Sequence, residues 1–399
     1  MQTLGDLGEV VSGGTPSRTV PSFWNGSIPW ATPTDITRLQ NKYISTTAEK
    51  ITKNGLEGSS AHLLPAGSLL VTSRATLGEA AIATVPIATN QGFKSIVPNA
   101  ETHRVFAYYL VKTLKPKMLP LASGTTFLEI GKGDFCRIPV RIPDFDEQSR
   151  IAYVLDTIDE AIQKTEAVIA KLKQIRAGML HDLLTYGLDK DGKLRDPVAH
   201  PEQFKDSELG RIPKEWEVVS LGDALSMQAG DFLSSERIAS NGDYPVYGGN
   251  GIRGYTSIFN TEGPLVLIGR QGALCGNVLI ASGRFYATEH AIVVRPRTEM
   301  DVHWLAAYLT RMDLNRYSES SAQPGLSVNK LSYRFMIRPP FPEQSMIGSA
   351  LVGVRLRLKA EQAELHKFQM IKSGLMDDLL SGNVPVPENI EANEEALND

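Results

Sequence analysis

The sequence predicts an α/β chain built as a pseudo-twofold tandem repeat: two similar globular domains separated by an antiparallel coiled coil of two long helices. Three observations carry that expectation. A collinear set of matches recurs at an offset near 196 residues. After each Glu-Gln-Ser the hydrophobic period becomes helical, and upstream of both switches short strand-like runs alternate with turns. Repeats are sought first because a missed duplication misassigns the whole fold.

The first globular domain is expected over residues 1–145. It opens on Leu4-Gly5-Asp6, has strand-like runs at 67–73, 80–83 and 95–97, and a helical stretch at 103–114. A long helix is expected over 146–186, following Pro143, where a helix is able to begin but not to be interrupted. After Glu147-Gln148-Ser149, Ile151, Leu155, Ile158, Ile162, Thr165, Ile169, Leu172, Ile175, Met179 and Leu183 step mostly by four and three along one face. Gly187 marks its stop. Residues 187–216 are polar and rich in turn residues, so they read as a connector.

The second domain is expected over 217–341, opening on Leu221-Gly222-Asp223, with strands at 265–268, 277–280 and 291–294 and a helix at 302–312. A distal helix over 342–381 repeats the first. Glu343-Gln344-Ser345 precedes Ile347, Leu351, Val354, Leu358, Glu361, Leu365, Phe368, Ile371, Leu375 and Leu379, each displaced by 196. Gly382 marks the stop, and 382–399 is expected to be a disordered acidic tail. A helix of about 38 residues runs roughly 57 Å, and an apolar seam that long needs a partner. The other copy is the nearest one of equal length. Thr165 and Glu361 interrupt the seams at equivalent mid-points, where a polar layer would fix register.

With 399 residues, 42% hydrophobic and 22% charged, the chain has the size and composition of two soluble globular domains. No run of about 18 apolar residues exists to span a bilayer, and the N-terminus lacks the pattern of a signal peptide. Cys136 and Cys275 are the only cysteines, which suits a reducing cytoplasm and argues against disulfides or a cysteine metal site. The net charge of −4 is unevenly placed: residues 1–145 carry 14 Lys/Arg against 10 Asp/Glu, and 221–341 carry 11 against 10. Acidity gathers in 146–220 and in the tail, so the globular domains are the mildly basic parts.

Catalytic motifs are weak. Gly249-Asn-Gly251-Ile-Arg-Gly254 spells a dinucleotide fingerprint but precedes a strand-like run instead of opening a helix. Arg338-Pro339-Pro340-Phe341 resembles an amino-methyltransferase motif, yet its first residue is a donor where an acceptor is needed. Asp159-Glu160-Ala161-Ile162 lies inside a long helix with no phosphate-binding loop. The seven histidines form no metal-spaced pairs. No catalytic residue and no metal site is expected.

The remaining chemistry lies in polar loops. Ten of the eleven basic residues in the second domain are arginine, the side chain whose fork matches guanine O6 and N7 or a phosphate. Candidate contacts are Tyr247, Asn250, Arg253 and Tyr255 in a glycine-rich loop, then Arg270 and Gln271, and His290. In the first domain they are Ser73, Arg74 and Thr76, with Asn90 and Gln91. At the 196-residue offset Arg74 falls on Arg270, and Asn90-Gln91 and Glu289-His290, 199 residues apart, are likewise matched as equivalent positions. Arg74 and Arg270 are either base readers or salt bridges within a turn.

Leu-Gly-Asp opening each domain, the Gly67…Arg74 and Gly263…Arg270 strands, the proline and Glu-Gln at the start of each helix, and the run Phe204-Lys205-x-Ser-Glu-Leu-Gly-x-Ile-Pro-x-Glu-Trp216 together resemble the specificity subunits of type I restriction-modification systems. The resemblance covers essentially the whole chain except the tail, although the chain begins almost directly at Leu4-Gly-Asp where the family often has a short lead-in. It implies two target-recognition domains, each reading half of a split site in double-stranded DNA, with the paired helices as a ruler. It also implies two modification subunits docked along the helices and carrying S-adenosylmethionine. Restriction subunits would carry ATP and Mg²⁺, leaving no cofactor on this chain and no membrane partner. The alternatives are a stand-alone bipartite DNA-binding regulator and a duplicated carbohydrate- or protein-binding scaffold.

Overall fold

The computed structural model describes residues 2–124, 128–272, 274–318 and 325–390 and divides into two compact units. The first comprises residues 1–166 and 364–399, the second 167–363. Each unit therefore joins one globular head to the first part of the long helix that follows it and to the last part of the other long helix. Residues 146–186 and 342–381 are thus shared between units. Among the described residues no helix is long and apolar enough to cross a membrane.

In the first unit the strands are β1 (Gly8–Ser12), β2 (Trp24–Ala31), β3 (Tyr43–Ile44), β4 (Glu49–Ile51), β5 (Leu69–Val71), β6 (Ala80–Ala83), β7 (Ala88–Thr89) and β8 (Lys94–Pro98). They form a five-stranded sheet in the order β1-β8-β5-β6-β3 and a three-stranded sheet β4-β2-β7. All three residues of β5 are buried because both faces of its sheet are covered. Leu69 and Val71 enter the core beneath the helix Arg104–Thr113, while Leu70 enters a second cluster with Phe93 and Ile87. That is the two-residue alternation of a strand, hidden in the sequence because both faces are apolar.

The helix Arg104–Thr113 is capped by His103, whose Nδ1 accepts from Phe106 N at 3.4 Å. An accepting Nδ1 must be unprotonated. Burial, aided by the neighbouring Arg104 charge, holds this imidazole below its ordinary value. A depressed histidine contributes stability above its unfolded value, near pH 6.5, that is lost as pH falls through the folded one. The first unit should therefore loosen on the acid side. His103→Asn, which keeps a capping acceptor, should flatten that dependence when amide exchange over Arg104–Thr113 is compared at pH 5 and 7.5.

The second unit repeats the plan with β11 (Glu217–Ser220), β12 (Leu225–Ala229), β13 (Tyr244–Gly248), β14 (Gly251–Thr256), β15 (Thr261–Gly269), β16 (Val278–Ala287), β17 (Ala291–Pro296) and β18 (Phe335–Arg338), preceded by a hairpin of β9 (Phe204–Ser207) and β10 (Gly210–Pro213). Its six-stranded sheet runs β12-β17-β15-β16-β13-β14, and β11 pairs with β18. Val266 and Ile268 face the core with Trp304 and Leu309, and Leu267 faces Phe285, as in β5.

The expected connector 187–216 is instead part of this unit's core. Leu188, Arg195, Phe204, Ile212 and Trp216 are buried. Glu343 organises them: its carboxylate accepts from Arg195 NH1 at 2.6 Å, Trp216 Nε1 at 2.9 Å and Leu188 N at 2.8 Å. Gly187 adopts φ +66°, and a Cβ there would lie 2.1 Å from Glu343 Oε1, so the turn that ends the first long helix requires glycine. Few apolar residues mark the segment, and their partners lie far away in sequence.

The long helices span Phe145–Thr185 and Phe341–Ser381, 41 residues each. Ile151 and Leu155 at the start of the first share a core with Leu379 and Leu380 at the end of the second. In the other unit Leu183 and Leu184 share one with Ile347 and Leu351. Start meets end in both units, so the helices run antiparallel. The glutamine of each Glu-Gln ties its helix to the head: Gln148 Oε1 accepts from His103 N at 2.8 Å and Gln344 Oε1 from Asp301 N at 3.1 Å.

Most expected seam residues are buried or half-buried, including Ile158, Ile162, Ile169, Leu172, Met179, Val354, Leu358, Leu365, Phe368 and Leu375. Ile175 and Ile371 are not; each is 40% exposed. Counting in steps of four and three gives these places to Arg176, which is exposed, and to half-buried Lys372, so Ile175 and Ile371 stand one residue, about 100°, off the count. Lys372 meets this need by pairing with Asp159 at 2.5 Å. Thr165 and Glu361 are buried but satisfied on their own helices, by the Ala161 carbonyl and by Arg357. The tail expectation is corrected over its first part: Val386 is buried in the first unit's core and Ile390 packs against it. Residues 391–399 lie outside the described residues.

Candidate nucleic-acid interface

In the second head three loops gather at one end of the six-stranded sheet. They follow β15 (Arg270, Gln271), join β13 to β14 (Gly249, Asn250) and join β16 to β17 (Thr288–His290). Backbone bonds lock them together: Arg270 N donates to His290 O at 2.8 Å and Thr288 N to Tyr247 O at 2.9 Å. The approach is so close that a Cβ on Gly269 would lie 2.1 Å from the Gly249 carbonyl. Between the loops is an open cleft of about 410 Å³ lined by Asn250, Arg253, Gln271 and His290 among others.

Four of the seven residues expected here are thus brought together. Asn250 Oδ1 accepts from Asn277 Nδ2 at 2.9 Å, and His290 Nδ1 lies 2.9 Å from Gln271 Oε1. The other three do not line the cleft. Arg270 NH1 donates to the Glu289 carbonyl at 3.4 Å, Tyr247 stacks edge-on against Phe285, and Tyr255 pairs through its backbone with Ala239. Burial pushes the Tyr247 hydroxyl's pKa up.

The first head keeps fewer of its candidates. Ser73 is fully buried, and Oγ1 of Thr76 is buried as well, so neither hydroxyl faces outward. Asn90 closes its own turn by accepting from Gly92 N at 2.9 Å. Gln91 is exposed, its Oε1 accepting from the Thr15 hydroxyl. Arg74 is half-exposed, with Nε 3.9 Å from Glu129 Oε2, and Lys94 reaches the other oxygen of Glu129 at 3.4 Å.

The hydrogen bonds also correct the matching of the heads. Ser73 N donates to Gly92 O and Ile130 N to Ser73 O; in the second head Arg270 N donates to His290 O and Leu326 N to Arg270 O. Ser73 therefore corresponds to Arg270 and Arg74 to Gln271, one residue out of step with the 196-residue offset of the helices, and Gly92 corresponds to His290, two residues out of step. The isolated bridges agree, pairing Arg74 with Glu129 and Gln271 with Gly325. Sequence reading missed the supporting loops around Glu129 and Gly325. It also missed Arg18, which lies 3.8 Å over the Trp24 ring while paired with Glu49. The faint signal for these loops was that Leu128-Glu129-Ile130 and Gly325-Leu326 precede equivalent short helices, Lys132–Cys136 and Val328–Ser332.

The family model described as the type I restriction modification DNA specificity domain matches residues 1–174 and again 213–365. The chain belongs to this family. It is 33% identical over 356 residues to the EcoprrI specificity subunit of Escherichia coli, covering 85% of this chain and 83% of that one. To the MjaIX specificity subunit of Methanocaldococcus jannaschii it is 26% identical over 413 residues, covering 97% and 94%. The fold matches that of the type I restriction-modification S subunit from M. genitalium, with TM-score 0.62, 18% identity and 95% of each chain covered. The tandem fold expected from the repeat is thus that of type I specificity subunits, with a DNA specificity domain in each half.

Proposed function

We propose that each head reads one half of a bipartite site in duplex DNA and that the long helices set the spacing and dock two modification subunits. The observation that carries this reading is the doubled loop cluster: equivalent backbone places hold different base-capable side chains, Arg74 in one head and Gln271 in the other. Same scaffold with different readers is what two different half-sites require. Exposed apolar side chains along the long helices, among them Val168, Leu356 and Met370, suit protein partners. In this reading the chain is non-catalytic and acts in the cytoplasm. S-adenosylmethionine belongs to the modification subunits, and ATP and Mg²⁺ to restriction subunits.

Arg74→Ala and Gln271→Ala test it. Each should weaken discrimination by about 1–3 kcal/mol at one base pair, and the two should act in different half-sites when duplexes varied at single positions are titrated with the assembled complex. Uniform weakening of every duplex would count both residues as phosphate contacts and overturn the assignment.

A further inference from the structure

The cleft between the reading loops of the second head is not wholly polar. Ile252 on β14 and Leu274 on the turn after β15 line it beside Asn250, Arg253, Gln271 and His290, and the two are 53% and 54% exposed. Both are held there by backbone. Ile252 pairs with Tyr247 across the β13–β14 ladder. The turn of Leu274 is closed by Gly276 N donating to Gly269 O at 2.8 Å and Asn277 N to Leu274 O at 3.1 Å, and Cys275 beside it is buried in the core. The Asn277 amide donates to Asn250 Oδ1 at 2.9 Å, which ties this turn to the one that leads into Ile252. In the first head the matching bond runs from Glu79 N to Thr76 O, so a threonine stands where the second head has Leu274.

We propose that Ile252 and Leu274 are specificity-determining residues that read the 5-methyl group of a thymine in the second half-site. The proposal rests on the reading of this head as a half-site reader. Single apolar side chains scattered over a surface are ordinary. Two fixed in one cleft, among polar groups able to touch bases, fit a target that is itself part polar and part apolar. The edge of a base pair in the major groove is such a target. It presents donors, acceptors and one kind of apolar group, the thymine methyl, which the minor groove does not display. The cleft also carries charge of the sign that suits DNA. The stem of Arg253 crosses Gly248, where a Cβ would lie 2.4 Å from Arg253 Cδ, and its guanidinium forms no ion pair among the described residues. An apolar protein surface covering the pair would leave that cation desolvated and unpaired, whereas a guanine edge or a phosphate satisfies it. The methyl group is what separates thymine from cytosine on this edge, so 5-methylcytosine offers the pair the same contact.

The test uses the assembled complex on the full-length chain, with half-sites assigned to heads by the Arg74→Ala and Gln271→Ala variants. Each thymine of the recognised duplex is replaced in turn by deoxyuridine, which lacks only the methyl group. One replacement in the second half-site should lower affinity about fourfold. In the double variant Ile252→Ser with Leu274→Ser the same replacement should change nothing. Preferences at the other base pairs of the second half-site should persist, which shows the variant head to be folded. With the unsubstituted chain, 5-methylcytosine at that position should bind more tightly than cytosine by a similar factor. Uracil tolerated throughout the second half-site, or a loss as large in the double variant as in the unsubstituted chain, overturns the proposal. So does a double variant that weakens every duplex equally or impairs only assembly with modification subunits, because the pair is then a wedge or a protein contact. No base preference anywhere in the second half-site overturns the underlying half-site reading itself.

Discussion

Glu343→Ala is expected to cost the second unit about 3–5 kcal/mol, whereas Glu147→Ala at the equivalent position costs no more than about 1 kcal/mol. The two glutamates belong to the same Glu-Gln-Ser, and only their surroundings differ. The side chains of Glu343 and Arg195 are 5% and 7% exposed, and Trp216 Nε1 and Leu188 N share the same carboxylate. Removing it leaves a buried guanidinium without its close partner and two donors unsatisfied. Glu147 pairs with Arg141 at 2.8 Å, but those side chains are 18% and 36% exposed, so water replaces the lost partner. Amide exchange at Leu188 and Trp216, with thermal unfolding of each variant, checks the contrast. Equal small losses at both sites would show that the buried network does not hold 187–216 to its head.

The second large effect follows from the helices as a ruler. Inserting seven residues at the middle of each long helix keeps the heptad phase and lengthens each by about 10.5 Å. At 3.4 Å per base pair that equals about three base pairs. Recognition of the original site should fall by orders of magnitude, and a site with the same half-sites and a spacer about three pairs longer should replace it. Insertion into one helix alone would put the two seams out of step and should abolish assembly. If the doubly extended chain keeps its original spacer, the helices do not measure.

Much of this molecule was legible in its sequence, for identifiable reasons. Long amphipathic helices repeat one physical demand over 41 residues, so their pairing and direction survive local irregularity. Strands such as β5 and the middle of β15 are found by their apolar runs. What was missed depends on single contacts. Ile175 reads as a seam residue until the place of Arg176 is counted. The segment 187–216 looks like a linker because its anchor, Glu343, lies about 150 residues away. Ser73 and Thr76 flank Arg74 in the sequence, but a strand end that turns inward buries both hydroxyls. The one-residue shift that equates Arg74 with Gln271 is visible only in backbone hydrogen bonds. Loop side chains follow no period, which is why the site was less legible than the fold.

The most direct test of two readers on one ruler is to map methylated adenines in DNA from cells carrying this chain together with the modification subunits proposed for it. Two readers on one ruler should give one motif made of two specific half-sites with an unspecified spacer of fixed length. Its first and second halves should change separately when Arg74 and Gln271 are substituted. A single continuous motif, or substitutions in one head that alter both halves, would contradict it.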